Sequence, residues 1–137
     1  MKNIPTILAV AALASACASN SGLSQSQDKL TQYGPYVGEP VSSFTAFRQH
    51  SWEAISRTQL VLWTSINDAF LLTVANNCPN MMFTNAVSVS STGSSISKHD
   101  AVIVKGDRCP ITEIQPIDVR RMRDDRNARQ AEAAARN

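Results

Sequence analysis

Between positions 41 and 117 the chain reads as short apolar or alternating runs, each closed by turn residues. No stretch there keeps a 3.6-residue apolar period over helix length, so this segment must build its core from strands. Phe44-Thr45-Ala46-Phe47, Trp52-Glu53-Ala54-Ile55 and Ala86-Val87-Ser88-Val89-Ser90 read as strands. Gln59-Leu60-Val61-Leu62-Trp63-Thr64 is continuously apolar at its centre, which fits a strand buried on both faces. Its β-branched and aromatic content favours strand over helix. Ser65-Ile66-Asn67-Asp68 is a turn, because Asn and Asp side chains bond their own backbone there. It joins the preceding strand to Ala69-Phe70-Leu71-Leu72-Thr73-Val74 as a hairpin. Ala101-Val102-Ile103-Val104, the turn Lys105-Gly106-Asp107-Arg108 and Pro110-Ile111-Thr112-Glu113-Ile114 predict a second hairpin. Met81-Met82-Phe83 reads as a short turn over the end of the core, and Ser91 to Ser95 as a loop.

The expected fold is therefore mainly β: a small antiparallel barrel or sandwich of six to seven short strands, with one disulfide and a C-terminal helix. A parallel α/β sheet is excluded, since no helical crossover separates the strands. The helix is expected to start at Asp118, a side chain able to cap it, and to run to about Ala135. Only Val119 and Met122 offer it an apolar stripe, so its first turns dock and the rest is solvated. Four pairs at four-residue spacing, Arg120–Asp124, Arg121–Asp125, Asp125–Arg129 and Glu132–Arg136, are placed to support it. Six arginines in this tail alternate with acids, which predicts a solvated helix, with phospholipid or peptidoglycan contact as the functional alternative.

The N-terminus reads as an address. Lys2 precedes the uncharged, mostly apolar run Ile4 to Ala16, whose 13 residues are too few to span a bilayer. The run ends in Leu13-Ala14-Ser15-Ala16-Cys17, small residues before a cysteine that resemble the bacterial lipoprotein box. That resemblance implies a signal peptide over 1–16, cleavage before Cys17, and diacylglycerol plus a further acyl chain such as palmitate on that residue. Several acyl chains anchor a protein stably where one does not. Ala14-Ser15-Ala16 also fits ordinary signal peptidase cleavage. Ala18 after the cysteine, in place of the Asp that retains lipoproteins at the inner membrane, favours the outer membrane facing the periplasm. Residues 17–35 are expected to be a flexible linker, with one helical turn near Ser26 to Tyr33, residues 36–117 the β-domain, and 118–137 the charged helix.

Three cysteines are present, and Cys17 is taken by lipid. Cys78 and Cys109, in a chain sent to an oxidising compartment, are expected to bridge. The 31-residue loop makes such a bridge worth about 3–4 kcal/mol in a chain-entropy account. A redox pair or metal site is the functional alternative, although no Cys-x-x-Cys occurs and the spacing with His99 matches no zinc motif. His50 and His99 are the only imidazoles. His99-Asp100 beside a serine-rich loop hints at hydrolysis, but there is no Gly-x-Ser-x-Gly elbow, dinucleotide loop or Walker loop. Glu53, Asp68, Asp107 and Glu113 form no recognisable pair. Trp63 is expected in the core and Trp52 nearer the surface, where it is the candidate ligand-binding residue. The formal charge of +2 without a basic cluster gives no case for nucleic acid.

A wider resemblance rests on Gly38-Glu39-Pro40-Val41-Ser42-Ser43-Phe44, Trp52, Leu62-Trp63-Thr64, Ala69-Phe70-Leu71-Leu72, Cys78-Pro79, Asp100-Ala101-Val102-Ile103-Val104, Cys109-Pro110-Ile111-Thr112-Glu113-Ile114 and Pro116-Ile117-Asp118-Val119. In order and spacing these resemble a family of small uncharacterised proteobacterial lipoproteins, a domain of unknown function with two hallmark cysteines. The resemblance places those cysteines at Cys78 and Cys109 and implies no activity. The combined expectation is an envelope lipoprotein, a non-enzymatic binding or structural module without catalytic residues, metal or cofactor. Its partners are the membrane, through the lipid on Cys17, and an envelope protein or cell-wall polymer. A small-ligand barrel using Trp52, or an unrecognised enzyme, is the alternative.

Overall fold

A computed structural model describes residues 21–75 and 78–137. The expected signal peptide over 1–16 and the expected lipidation site Cys17 lie outside the described residues. The element order is α1 (Ser21–Tyr33), β1 (Ser43–Thr45), β2 (Ser51–Ala54), β3 (Gln59–Trp63), β4 (Ala69–Val74), β5 (Ser88–Val89), β6 (Ser95–Ser97), β7 (Ala101–Val104), β8 (Asp107–Ile117) and α2 (Val119–Ala135). The fold is mainly β, as the pattern of short runs predicts. An antiparallel half-barrel of six strands in the order β2-β3-β4-β8-β7-β5 is accompanied by a ribbon of β1 and β6.

The eight strands among the described residues exceed the expected six to seven because Ser95–Ser97, which begins on the last residue of the expected loop, pairs with β1. A serine-rich run carries no strand signal of its own. What pairs it is the burial of Ile96 opposite Phe44, whose ring stacks on Phe70 with centroids 4.0 Å apart.

The sheet is buried on both faces. Leu60, Leu72 and Ile114 lie side by side on β3, β4 and β8, all fully buried, with Leu62, Val74, Val102 and Val104 on the same side. This face packs against Phe44 and Ile96 of the ribbon. Val61, Ala69, Leu71 and Ile117 face the other way, against Tyr33, Tyr36, Val119 and Met122. That double burial explains why β3 reads as an uninterrupted apolar run rather than an alternating one. Trp63 sits half-buried against the second face.

β8 is longer than the expected Pro110–Ile114 and carries an irregularity. Thr73 pairs with Glu113, but Val74 pairs with Ile111, so Thr112 is an extra residue, and its Oγ1 donates to the Thr73 carbonyl oxygen at 3.1 Å. The extra residue shifts the parity of the strand. Cys109 and Ile111 thereby share the first core with Ile114, although strict alternation would separate them. The β7–β8 hairpin closes through Lys105 at φ 50° and Gly106 at φ 90°. Two successive left-handed residues form the tight turn that matches strand twist, and glycine holds the second at no steric cost.

The Cys78–Cys109 disulfide joins the segment after β4 to β8, with both half-cystines in the first core. Cys78 is further held by its N–H on the Arg57 carbonyl oxygen at 3.0 Å, and Met81, at the start of a 3-10 turn over Met81–Phe83, is fully buried beside it.

The two helices frame the second face. Asp118 Oδ1 accepts from the Arg121 N–H at 3.0 Å, and Val119 and Met122 are the buried residues of α2, as read from sequence. Asp118→Ala is expected to cost about 1 kcal/mol of stability through the lost cap. Asp118→Asn should retain most of it, and equal losses for the two in urea unfolding would show that the cap is not the cause. The linker is a correction of a different kind. Residues 21–33 form α1, longer than one turn, because Tyr33 at its end buries its ring and Lys29 reaches the sheet. Polar composition predicts a tether, and two anchoring contacts override it. The Gly38 N–H donates to the Pro116 carbonyl oxygen at 2.8 Å, and a Cβ at Gly38 would stand 3.3 Å from the Pro116 ring, which ties the segment after α1 to β8.

Candidate functional site

The end of α1 and the start of α2 meet on the second sheet face. α1 ends at Tyr33, and a 3-10 turn over Gly34–Tyr36, with Pro35 as its rigid residue, swings the chain back over the sheet. α2 leaves the same corner, for the Asp118 N–H donates to the Tyr36 carbonyl oxygen at 2.8 Å. Two tyrosines are therefore planted between helices and sheet.

Each has a carboxylate partner. Tyr33 OH donates to Glu53 Oε2 at 2.5 Å, and Glu53 Oε1 stands 3.2 Å from Lys29 Nζ, which also donates to the Ala54 carbonyl oxygen at 3.1 Å. Tyr36 OH donates to Asp125 Oδ2 at 2.9 Å, and the Arg121 guanidinium lies 5.7 Å from the centre of its ring. Burial, followed by the hydrogen bond and charge of Glu53, pushes the Tyr33 phenol well above its ordinary value. The hydrogen bond to Asp125, followed by burial, raises Tyr36 as well. Both phenols thus stay protonated donors throughout the neutral range.

Raised phenol values make stability depend on alkaline pH. Above about pH 10 an unfolded tyrosine loses its proton while the folded one keeps it, so stability falls as pH rises toward the folded value. Below about pH 10 the full contribution is present. Tyr33→Phe is expected to be less stable at pH 8 and to show a shallower loss between about pH 10 and 11.5, followed by urea midpoints. An unchanged alkaline slope would show that Tyr33 does not carry it.

A cavity of about 420 Å3 opens between the helices at this corner. It is lined by Asp28, Thr31 and Gln32 of α1, by Pro35 and Tyr36 of the 3-10 turn, and by Met122, Arg126 and Arg129 of α2. The pairs expected along α2 are not closed as ion pairs among the described residues. Asp125 is engaged by Tyr36, and Arg129 Nε donates to the Asp125 carbonyl oxygen at 3.2 Å. Arg123 serves the fold: its terminal nitrogens donate to the Ile66 carbonyl oxygen at 2.8 Å and to Asn67 Oδ1 at 3.2 Å, clamping α2 to the β3–β4 turn.

The candidates read from sequence lie elsewhere. Cys78 and Cys109 are bonded to each other in the core, so neither thiolate is present for redox exchange or for a zinc site with His99. Trp52 stands on β2 opposite Leu62, half-buried against the first core. His50 and His99 are exposed on separate loops. Asp100 is taken by its own turn, accepting from Ser97 N–H at 2.8 Å, Ser97 Oγ at 3.0 Å and Ser90 Oγ at 3.3 Å. Asp68 accepts from Ser65 Oγ at 2.7 Å and Asp107 from Asn80 Nδ2 at 2.9 Å. Glu53, one of the scattered acids of the sequence, is thus the one that meets a tyrosine and a lysine.

Sequence reasoning missed Tyr33, Tyr36, Arg126 and Arg129. One signal was present. Met122, Arg126 and Arg129 are spaced four and three apart, which places them on one helix face below the docking turn. The other half of the corner, α1, had no such signature. Among the described residues no group of His, Cys, Asp or Glu is placed to hold a metal, and no helix is long and apolar enough to cross a membrane. A family model described as a family of unknown function (DUF6491) matches residues 1–135. No curated protein and no solved structure matches the chain.

Proposed function

The chain belongs to the DUF6491 family of unknown function, and from that premise we propose that it is a lipid-anchored binding or structural module of the bacterial envelope. The observation that carries this reading is the buried Cys78–Cys109 disulfide at the centre of the domain. A bridge in so small a core persists where the surroundings are oxidising, as outside the cytoplasm. The N-terminal run closed by Ala14-Ser15-Ala16-Cys17 supplies the matching export and acylation signal. Acyl chains on Cys17 would hold the domain at the membrane, with the outer membrane favoured by Ala18. Binding is favoured over catalysis because three of the described acids are held by structural partners: Glu53 by Tyr33 and Lys29, Asp100 by Ser97 and Ser90, Asp125 by Tyr36. A partner of this module is an envelope protein or cell-wall polymer.

The test is intact mass spectrometry of protein extracted from membranes, with and without reduction before alkylation. The expected mass is that of residues 17–137 plus acyl chains, with two alkylated thiols appearing only after reduction. An unacylated mass would remove the anchor, and recovery in inner-membrane fractions would overturn the outer-membrane assignment.

A further inference from the structure

The cavity between α1 and α2 has more positive than negative charge on its wall. Arg126 and Arg129 line it, and Asp28 is the acid among its lining residues. Among the described residues no ion pair joins Asp28 to either arginine; Lys29 pairs with Glu53 instead. Asp125 keeps its negative charge but does not line this cavity, and its carboxylate accepts from Tyr36 OH. Arg129 spends Nε on the Asp125 carbonyl oxygen, which fixes the side chain and leaves its two terminal nitrogens. The other arginines of residues 119–137 divide differently. Arg123 clamps the β3–β4 turn and Arg121 lies over Tyr36, while Arg120 and Arg136 are exposed and do not line the cavity.

We propose that this groove binds a phosphate group, and that its source is the headgroup of an anionic phospholipid. Two guanidinium groups on one wall suit a tetrahedral oxyanion, since each presents a planar fork of donors to it. The Gln32 amide offers a further donor from α1, and Pro35 and Met122 form an apolar part of the wall against which a glycerol backbone packs. At about 420 Å3 the cavity falls in the range of small-molecule sites, about 300–1,000 Å3.

The lipid source rests on the anchor proposed above, whereas the phosphate chemistry does not. Three residues, 18–20, lie between Cys17 and Ser21, the first described residue of α1. Since α1 has 13 residues and so spans about 20 Å, an acylated Cys17 keeps the groove within reach of headgroups. Residues 119–137 carry six arginines against three acids, a balance that draws them toward an anionic surface.

The test is titration of the full acylated chain in uncharged detergent, followed by NMR of the arginine Nε–Hε signals. Short-chain phosphatidylglycerol, short-chain phosphatidylcholine and inorganic phosphate are the three probes. The expected result is saturable shifts of Arg126 and Arg129 with phosphatidylglycerol, at an affinity about tenfold above that for inorganic phosphate or phosphatidylcholine. The exposed pair Arg126→Gln/Arg129→Gln should lower that affinity about tenfold or more, and Arg120→Gln/Arg136→Gln, which removes the same charge off the groove, should leave it within about twofold. Absence of a saturable response to any probe would overturn the site. Equal losses in the two double variants would reduce it to diffuse attraction and overturn it too. Inorganic phosphate binding as tightly as phosphatidylglycerol would overturn the lipid source. Failure of the anchor is read separately, from the intact mass, so the two readings can fall independently.

Discussion

Replacing Cys78 and Cys109 together by alanine is expected to lower the unfolding free energy by about 3–4 kcal/mol, or roughly 10–20 °C in Tm. The bridge closes a 31-residue loop that contains β5, β6 and β7, and without it the unfolded chain regains the freedom of that whole loop. Because unfolding free energies are about 5–15 kcal/mol, a loss of this size is a large share of the total. Both half-cystines lie in the first core, so the alanine pair also removes packing there. Reduction of the unaltered protein separates the two contributions, since it breaks the bond and keeps the sulfur atoms. Thermal unfolding with and without reductant measures it. A Tm that moves by less than about 3 °C on complete reduction would show that the loop is already constrained by its sheet contacts.

Leu72→Ala is expected to cost a further share of similar size, about 3–5 kcal/mol. Leu72 is fully buried in the middle of β4, between Leu60 on β3 and Ile114 on β8. Its row has no way to collapse into the space left behind, because hydrogen-bonded strands on both sides fix the backbone spacing. Thr73, the next residue, is half-buried, and Thr73→Ala should cost less than about 1 kcal/mol. Urea unfolding of the two variants gives the comparison, and similar costs for both would refute the assignment of this row as the centre of the core. Leu72 and the half-cystines share one cluster, so their effects should not add. The variant lacking both is expected to be unfolded at 37 °C.

Much of the domain was legible from local pattern. The hairpin of β3 and β4 follows from two apolar runs around Ser65-Ile66-Asn67-Asp68, whose Ser65 and Asp68 side chains do bond each other in the turn. The β7–β8 hairpin follows from Lys105-Gly106, and α2 from a capping Asp118 with Val119 and Met122 behind it. In each the signal is carried by residues within a few positions of one another, so the physics that forms the element is the physics the sequence displays. The candidate corner was less legible. Arg126 and Arg129 could be placed on the face of Met122, but the residues they oppose, from Asp28 to Tyr36, lie some ninety positions away in a segment whose polar composition reads as linker.

The sequence by itself determined that the core is built of antiparallel strands, that its two distal cysteines pair, and where the last helix begins. These follow from side-chain period, cysteine number and a single cap, none of which needs a partner far along the chain. Tertiary structure alone decided three things. It made Ser95–Ser97 a strand by burying Ile96 against Phe44. It placed Cys109 and Ile111 on the same face as Ile114 through the extra residue at Thr112. It turned an apparent tether into α1 by burying Tyr33 and pairing Lys29 with Glu53. The common reason is that the contact in each case joins segments distant in the chain. The free energy of such a contact depends on which surface arrives, and local composition holds no record of that.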